Sequence, residues 1–295
     1  MKRPGMHMAV AYLALTVSAL VATGGPADGF SSLTLFDTFV AKDSDASRIA
    51  RNIAYGEANR QRLDIYRPKD DAAGLPVILF IYGGSWNSGR KGDYSFVGRA
   101  LAASGFVTVI ADYRLVPQIR YPAFVEDGAK AIAWIVRNIA DYGGDPKRIF
   151  VAGHSAGAYN ALMLAVEPRF LEAESVSHNV IKGAAGLSGP YDFLPLVTRT
   201  TRRTFGSTAD LESTQPVNLV TRRTPPIFLA HGADDGLVRP DNTRALSARL
   251  AEKQIRAKTR IYPDVGHAGL VLGLARPFRE SAPVLRDMTA FFNAL

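Results

Sequence analysis

The chain has 295 residues, 47% of them hydrophobic and 21% charged, with a formal net charge of +8. That length and balance exclude a disordered chain and suit one large domain with a sizeable core. The absence of cysteine excludes disulfides, thiolate metal sites and a cysteine nucleophile, and says little about compartment.

Lys2 and Arg3 open the chain, and Met8 to Ala22 form an uncharged, mostly apolar run. Thr23, Gly24, Gly25, Pro26 and Ala27 follow. This is the layout of a secretory signal peptide over 1–29, cleaved between Thr23 and Gly29, and it is short for a membrane-spanning helix. The expectation is an exported protein, periplasmic or secreted, with no stable membrane insertion once the signal is removed. An uncleaved N-terminal anchor is the competing reading. Residues 30–295 then form a single domain.

Residues 30–58 are mixed and read as an N-terminal arm over that domain. Arg60 to Arg67 alternates polar and apolar residues, as a half-exposed edge strand does. Pro76 to Ile81 and Phe106 to Ala111 are continuous apolar runs expected as buried parallel strands, with a helical segment around Phe96 to Ser104 between them. Val125, Ala129, Ile132, Ile135, Val136 and Ile139 recur at helical spacing, so 122–140 is an amphipathic helix, stopped by Tyr142-Gly143-Gly144-Asp145-Pro146. Further strands are expected at 149–152, 180–187, 227–230 and 259–262, and further helices at 242–253 and 283–292. Strands alternating with helices indicate a mostly parallel sheet with helices on both faces. Tyr191 to Val220 lacks clear periodicity and is a candidate small cap. The basic charge is dispersed apart from Arg199, Arg202, Arg203, Arg222 and Arg223, and no nucleic-acid-binding signature accompanies it, so it reads as solvated surface charge.

The chemistry centres on Gly153-His154-Ser155-Ala156-Gly157, a G-x-S-x-G between an apolar strand and a helix-forming run from Ala158 to Glu167. Such a turn strains the serine backbone, and flanking glycines let strand and helix approach closely. A serine hydroxyl needs a base to take its proton and a carboxylate to orient that base. In this setting the partners follow in the order serine, acid, histidine. Of five histidines, His7 lies in the leader, His154 is adjacent to the serine and points elsewhere on the elbow, His178 sits in a polar connection, and His231 precedes the acid candidates. His267, in a glycine-flanked loop after the last strand, alone satisfies order and context. The acid is expected on the loop after the penultimate strand, where Asp234 and Asp235 compete; Asp264 is too close to His267 and on another loop. Backbone N–H groups of Gly83, Gly84 and Ala156 are the candidate oxyanion donors, because Tyr82-Gly83-Gly84-Ser85-Trp86 follows the 76–81 strand with nothing on the glycines to block them.

Together, LDIYRP (63–68), YGGSW (82–86), DYRL (112–115), YPAFVEDG (121–128), GGDPKRI (143–149), GHSAGA (153–158), HGADDGLV (231–238) and GH (266–267) resemble the α/β-hydrolase superfamily. Within it, the chain is similar to bacterial carboxylesterases of the hormone-sensitive-lipase-like and feruloyl-esterase-like group. The resemblance implies an α/β-hydrolase fold with a mostly parallel central sheet, helices on both faces and at most a small cap. By its H-G-x-x-D-x-x-V pattern it selects Asp235 over Asp234. It implies serine ester hydrolysis through an acyl-enzyme, by Ser155, His267 and Asp235; the modest length of the cap-like segment points to small to medium acyl or aryl esters. No metal, cofactor or nucleic-acid partner is expected. An arylformamidase-like amidase is the nearest alternative, and a non-catalytic binding protein on the same fold is a further one. Three positions depart from the family pattern: Tyr82 stands where a histidine is usual, Ser85 replaces a third glycine, and His154 replaces an aspartate common among relatives.

Overall fold

A computed structural model describes residues 32–70 and 72–295; the signal-like segment at 1–29 lies outside the described residues. Eight strands form one sheet: β1 (Ala46–Ala54), β2 (Arg62–Pro68), β3 (Leu75–Ile81), β4 (Val107–Ala111), β5 (Gly144–His154), β6 (Ile181–Leu187), β7 (Ile227–Gly232) and β8 (Ala257–Tyr262). Their order is β1-β2-β4-β3-β5-β6-β7-β8. β2 runs antiparallel to both neighbours, and every pair from β4 to β8 is parallel.

The helices are α1 (Ser32–Phe39), α2 (Ser95–Ala103), α3 (Ala123–Asn138), α4 (Ala156–Val166), α5 (Arg169–Glu172), α6 (Arg199–Phe205), α7 (Pro216–Leu219), α8 (Asp241–Glu252), α9 (His267–Leu272) and α10 (Val284–Asn293). The central strands are covered on both faces, which is why they read as unbroken apolar runs: Val77 to Phe80 are fully buried. α3 turns Phe124, Val125, Ala129, Ile132 and Ile135 inward and packs on α4, a helix buried along its whole length. α2 and α10 pack together on the other face, where Phe292 stacks on Phe150 with ring centroids 4.5 Å apart.

Two expectations need correction. Residues 32–58 do not simply lie over the domain as an arm: they hold α1 and the nine-residue β1, which joins the sheet at its edge. β2 is therefore not an edge strand, and Leu63 to Tyr66 are all fully buried. The inward Asp64 made the segment look half-exposed. Its carboxylate is satisfied by Lys91 Nζ at 2.9 Å, Arg48 Nη1 at 3.1 Å and the Asn52 N–H at 2.9 Å, and a buried charge persists when it is paired and hydrogen-bonded.

The 191–220 segment is short and docked rather than loose. Phe205 of α6 is buried among the rings of Trp86, Phe124, Tyr121 and Tyr159. Tyr159 Oη donates to the Thr214 carbonyl at 2.8 Å, and the Tyr121 N–H donates to that of Thr204 at 3.1 Å. Arg199, Arg202 and Arg203 of α6 remain exposed.

Candidate active site

β5 ends at His154, α4 begins at Ala156, and Ser155 turns the chain between them with φ 56° and ψ −124°. That is a strained conformation for a residue with a Cβ, and it persists only where the surroundings impose it. The surroundings do so here. The Ser155 N–H donates to the Leu187 carbonyl of β6 at 2.8 Å. A Cβ on Gly157 would lie 2.0 Å from the Ile81 carbonyl oxygen, and one on Gly153 would lie 2.2 Å from that of Gly157. Strand, turn and helix are thus in backbone contact, and the serine hydroxyl is held at the carboxyl edge of the sheet.

Two other strand ends deliver its partners. His267 opens α9 after β8, with Nε2 2.9 Å from Ser155 Oγ. Its Nδ1 lies 2.7 Å from Oδ2 of Asp235, on the loop after β7. The other carboxylate oxygen, Oδ1, accepts the N–H groups of Leu237 and Val238 at 3.0 and 2.9 Å. Burial pushes the Asp235 carboxyl upward, but hydrogen bonds from His231, His267 and the Val238 N–H outweigh it and hold the group well below the usual carboxylate range. Asp235 is therefore a buried, fully ionised carboxylate facing an imidazole. Its neighbour Asp234 is exposed and so is Asp264, and neither has a side-chain bond to His267.

Two histidines set aside on sequence position also stand in the site. The His154 ring does not point away: its centroid is 4.9 Å from that of His267, and its Nε2 donates to the His267 carbonyl at 3.0 Å. Burial, reinforced by repulsion from His267, lowers its pKa to about 3, so it is neutral at neutral pH. His231 occupies the other flank of Asp235, with Nε2 3.2 Å from Oδ2. Sequence position could exclude both as the base, but nothing in it signalled that both touch the line of partners.

The turn after β3 passes in front of the serine. A Cβ on Gly83 would lie 2.9 Å from Ser155 Cβ, and Gly84 adopts φ 124° with Ser88 O 2.3 Å from where its Cβ would be, so both positions require glycine. The Gly84 N–H has no acceptor among the described residues, and that of Ala156, first in its helix, has no intrahelical acceptor. Trp86 locks the far end of the turn by donating Nε1–H to Asn160 Oδ1 at 3.0 Å. Such an arrangement can activate a hydroxyl, take its proton and offer N–H groups to a developing oxyanion. Among the described residues no group of three or more His, Asp or Glu is placed to hold a metal ion, and no helix is long and apolar enough to cross a membrane.

The BD-FAE family model matches residues 63–250. An isoprenylcysteine alpha-carbonyl methylesterase of Arabidopsis thaliana, ICME, is 32% identical over 248 residues, covering 77% of this chain and 58% of the relative. Esterase LipQ of Mycobacterium tuberculosis (strain ATCC 25618 / H37Rv) is 31% identical over 249 residues, covering 78% and 58%. The matches span 52–64% of the length of such curated relatives. Among solved structures, esterase B from Lactobacillus rhamnosis superposes with a TM-score of 0.79 at 18% identity, covering 98% of this chain and 95% of that one. The last comparison is a likeness of fold.

Proposed function

Since this chain belongs to the BD-FAE family of α/β-hydrolases, we propose that it is a serine carboxylic-ester hydrolase. The observation that carries the reading is the continuous line from Ser155 Oγ through the His267 ring to Asp235, at 2.9 and 2.7 Å. Ser155 Oγ attacks the ester carbonyl carbon while His267 Nε2 takes the hydroxyl proton. Asp235 holds the imidazole with its hydrogen on Nδ1 and stabilises the imidazolium that forms. The Gly83, Gly84 and Ala156 N–H groups are the donors that receive the oxyanion. The tetrahedral intermediate then expels the alcohol, which takes the proton from His267. Water, deprotonated by the same nitrogen, releases the acid from the acyl-enzyme.

The short, docked segment over 191–220 supports small to medium acyl or aryl esters as substrates; a chain-length series that peaked at long acyl groups would overturn that. Export is proposed on the basic start and apolar run of residues 1–29, and recovery of the native-host protein only from the cytosolic fraction would refute it. The reaction itself is tested with short p-nitrophenyl esters. Ser155→Ala should lower kcat on the order of 10⁴–10⁶-fold, and equal turnover by both proteins would sink the serine mechanism.

A further inference from the structure

Asp235 has two imidazole neighbours, and the proposed reaction uses one. The other, His231, is the penultimate residue of β7 and is fully buried. Its Nε2 lies 2.8 Å from the Val238 carbonyl oxygen and 3.2 Å from Asp235 Oδ2, and its Nδ1 lies 2.7 Å from Thr243 Oγ1 on α8. A carbonyl and a carboxylate can only accept, so Nε2 carries the hydrogen. In the neutral ring Nδ1 is then a bare lone pair, and the Thr243 hydroxyl donates to it. Thr243 is also fully buried, and among the described residues its hydroxyl has no other partner.

We propose that Thr243 and His231 are positioning residues: the Thr243 hydroxyl, donating to Nδ1, holds the His231 ring in place, and the Nε2–H, bonded to the Val238 carbonyl and 3.2 Å from Asp235 Oδ2, steers the carboxylate so that Oδ2 meets His267 Nδ1. The reasoning is electrostatic and geometric. Oδ1 is pinned by two backbone N–H groups, and the His231 Nε2–H, hydrogen-bonded to the Val238 carbonyl, brings its positive edge to within 3.2 Å of Oδ2. The opposite tautomer would aim a lone pair at two acceptors, 2.8 and 3.2 Å away, and push the carboxylate out of the plane that serves His267. A neutral donor also suits the chemistry better than a cation. A lysine or arginine there would spend the carboxylate's charge permanently, whereas a neutral N–H leaves it to stabilise the imidazolium of His267 as the proton arrives.

The kinetic arm of the test rests on the esterase reading; the spectroscopic arm does not. Thr243→Val keeps the shape and removes only the hydroxyl, and Thr243→Ser restores it. In the full chain labelled with ¹⁵N-histidine, long-range ¹H–¹⁵N spectra report each ring's tautomer, and the His231 signals are identified by their loss in His231→Gln. The expected result is an Nε2–H tautomer at His231 in all three proteins, with the Nδ1 resonance shifted in Thr243→Val by loss of its hydrogen bond and unshifted in Thr243→Ser. With p-nitrophenyl butyrate, Thr243→Val should lower kcat about tenfold with KM changed by less than about twofold, and Thr243→Ser should recover most of it. A native His231 protonated on Nδ1 overturns the proposal outright. So does a Thr243→Val protein with native kcat and an unaltered His231 signal. Equal losses in the valine and serine variants would mean that the threonine methyl packs and its hydroxyl does not steer, which also overturns it. Native protein inactive on every ester would sink the esterase reading, while the tautomer measurement would still decide the steering.

Discussion

Asp235→Asn tests the line of partners at its least exposed point, because the surroundings dictate how the amide must sit. The two backbone N–H groups of Leu237 and Val238, at 3.0 and 2.9 Å from Oδ1, require an acceptor, so the amide oxygen takes that position. The NH2 is then left in the place of Oδ2, facing His267 Nδ1 at 2.7 Å and His231 Nε2 at 3.2 Å. An NH2 donates, so His267 must offer Nδ1 as a lone pair and carry its hydrogen on Nε2. That is the atom 2.9 Å from Ser155 Oγ, and a protonated Nε2 cannot accept the serine hydrogen. The base is lost although every side chain remains in place. Loss of the correct tautomer costs on the order of 10⁴ in kcat, which at about 1.4 kcal/mol per tenfold is about 5–6 kcal/mol of transition-state stabilisation. The assay is steady-state hydrolysis of p-nitrophenyl acetate and butyrate, with a thermal melt to show that the variant is folded. Asp234→Asn, altering an exposed side chain, is the control and should stay within about twofold. An Asp235→Asn enzyme within about tenfold of native kcat would refute the reasoning, and a large loss confined to Asp234→Asn would transfer the role to the neighbouring residue.

Gly157→Ala places a methyl 2.0 Å from the Ile81 carbonyl oxygen and 2.4 Å from that of Tyr82, contacts that only backbone movement relieves. It should destabilise the fold by about 3 kcal/mol or more, a fall in Tm of about 6–12 °C, with activity lost in parallel; a native melting curve would show that the elbow is looser than described. His154 supplies a pH prediction. Its folded pKa of about 3 lies below its unfolded value of about 6.5, so between those limits the unfolded chain binds more protons and stability falls as pH falls, by at most about 1.4 kcal/mol per pH unit. Urea denaturation of the native protein and His154→Gln from pH 7 to pH 4 should therefore show native stability declining more steeply than that of the variant. Parallel declines would mean that His154 does not carry the acid sensitivity.

What the sequence disclosed follows from how strongly each feature constrains residue choice. The elbow was legible because two backbone contacts admit only glycine on either side of one serine, inside a strand and helix that declare themselves by apolar runs. β1 was not legible. It lies at the sheet edge with Arg48, Arg51 and Asn52 among its residues and is mostly open to water, so little selects an apolar alternation there. Missing it put β2 at the edge, an error that the inward Asp64 reinforced. Asp235 and Asp234 are adjacent and chemically identical, and only the family pattern separated them. What separates them physically is a turn that sends one carboxylate inward to two N–H groups and two imidazoles. His231 was excluded as the base on chain order and His154 on its adjacency to the serine, yet neither says which flank of a carboxylate or of a ring another residue occupies.

Tyr82 shows how a departure from a family pattern can keep the function of the position it alters. The residue must hold the turn before Gly83 and Gly84 against the sheet. Its hydroxyl donates to Asp112 Oδ1 at 2.7 Å and accepts from Arg60 Nη2 at 2.8 Å, while the Lys91 N–H donates to the same carboxylate oxygen at 2.7 Å. Its ring lies between those of Tyr94 and Tyr113, with centroids 5.3 and 4.9 Å away, and Tyr113 Oη donates to the Tyr82 carbonyl at 3.1 Å. Full burial raises the phenol well above its ordinary pKa, so it stays a hydroxyl throughout the range in which proteins remain folded. A histidine in that place would bring a ring nitrogen able to take up a proton in acid. With tyrosine, the brace on the oxyanion turn is insensitive to mild acid. Acid sensitivity then falls on His154 at the other wall of the site, whose ring lies 4.9 Å from that of His267 and whose Nε2–H donates to the His267 carbonyl.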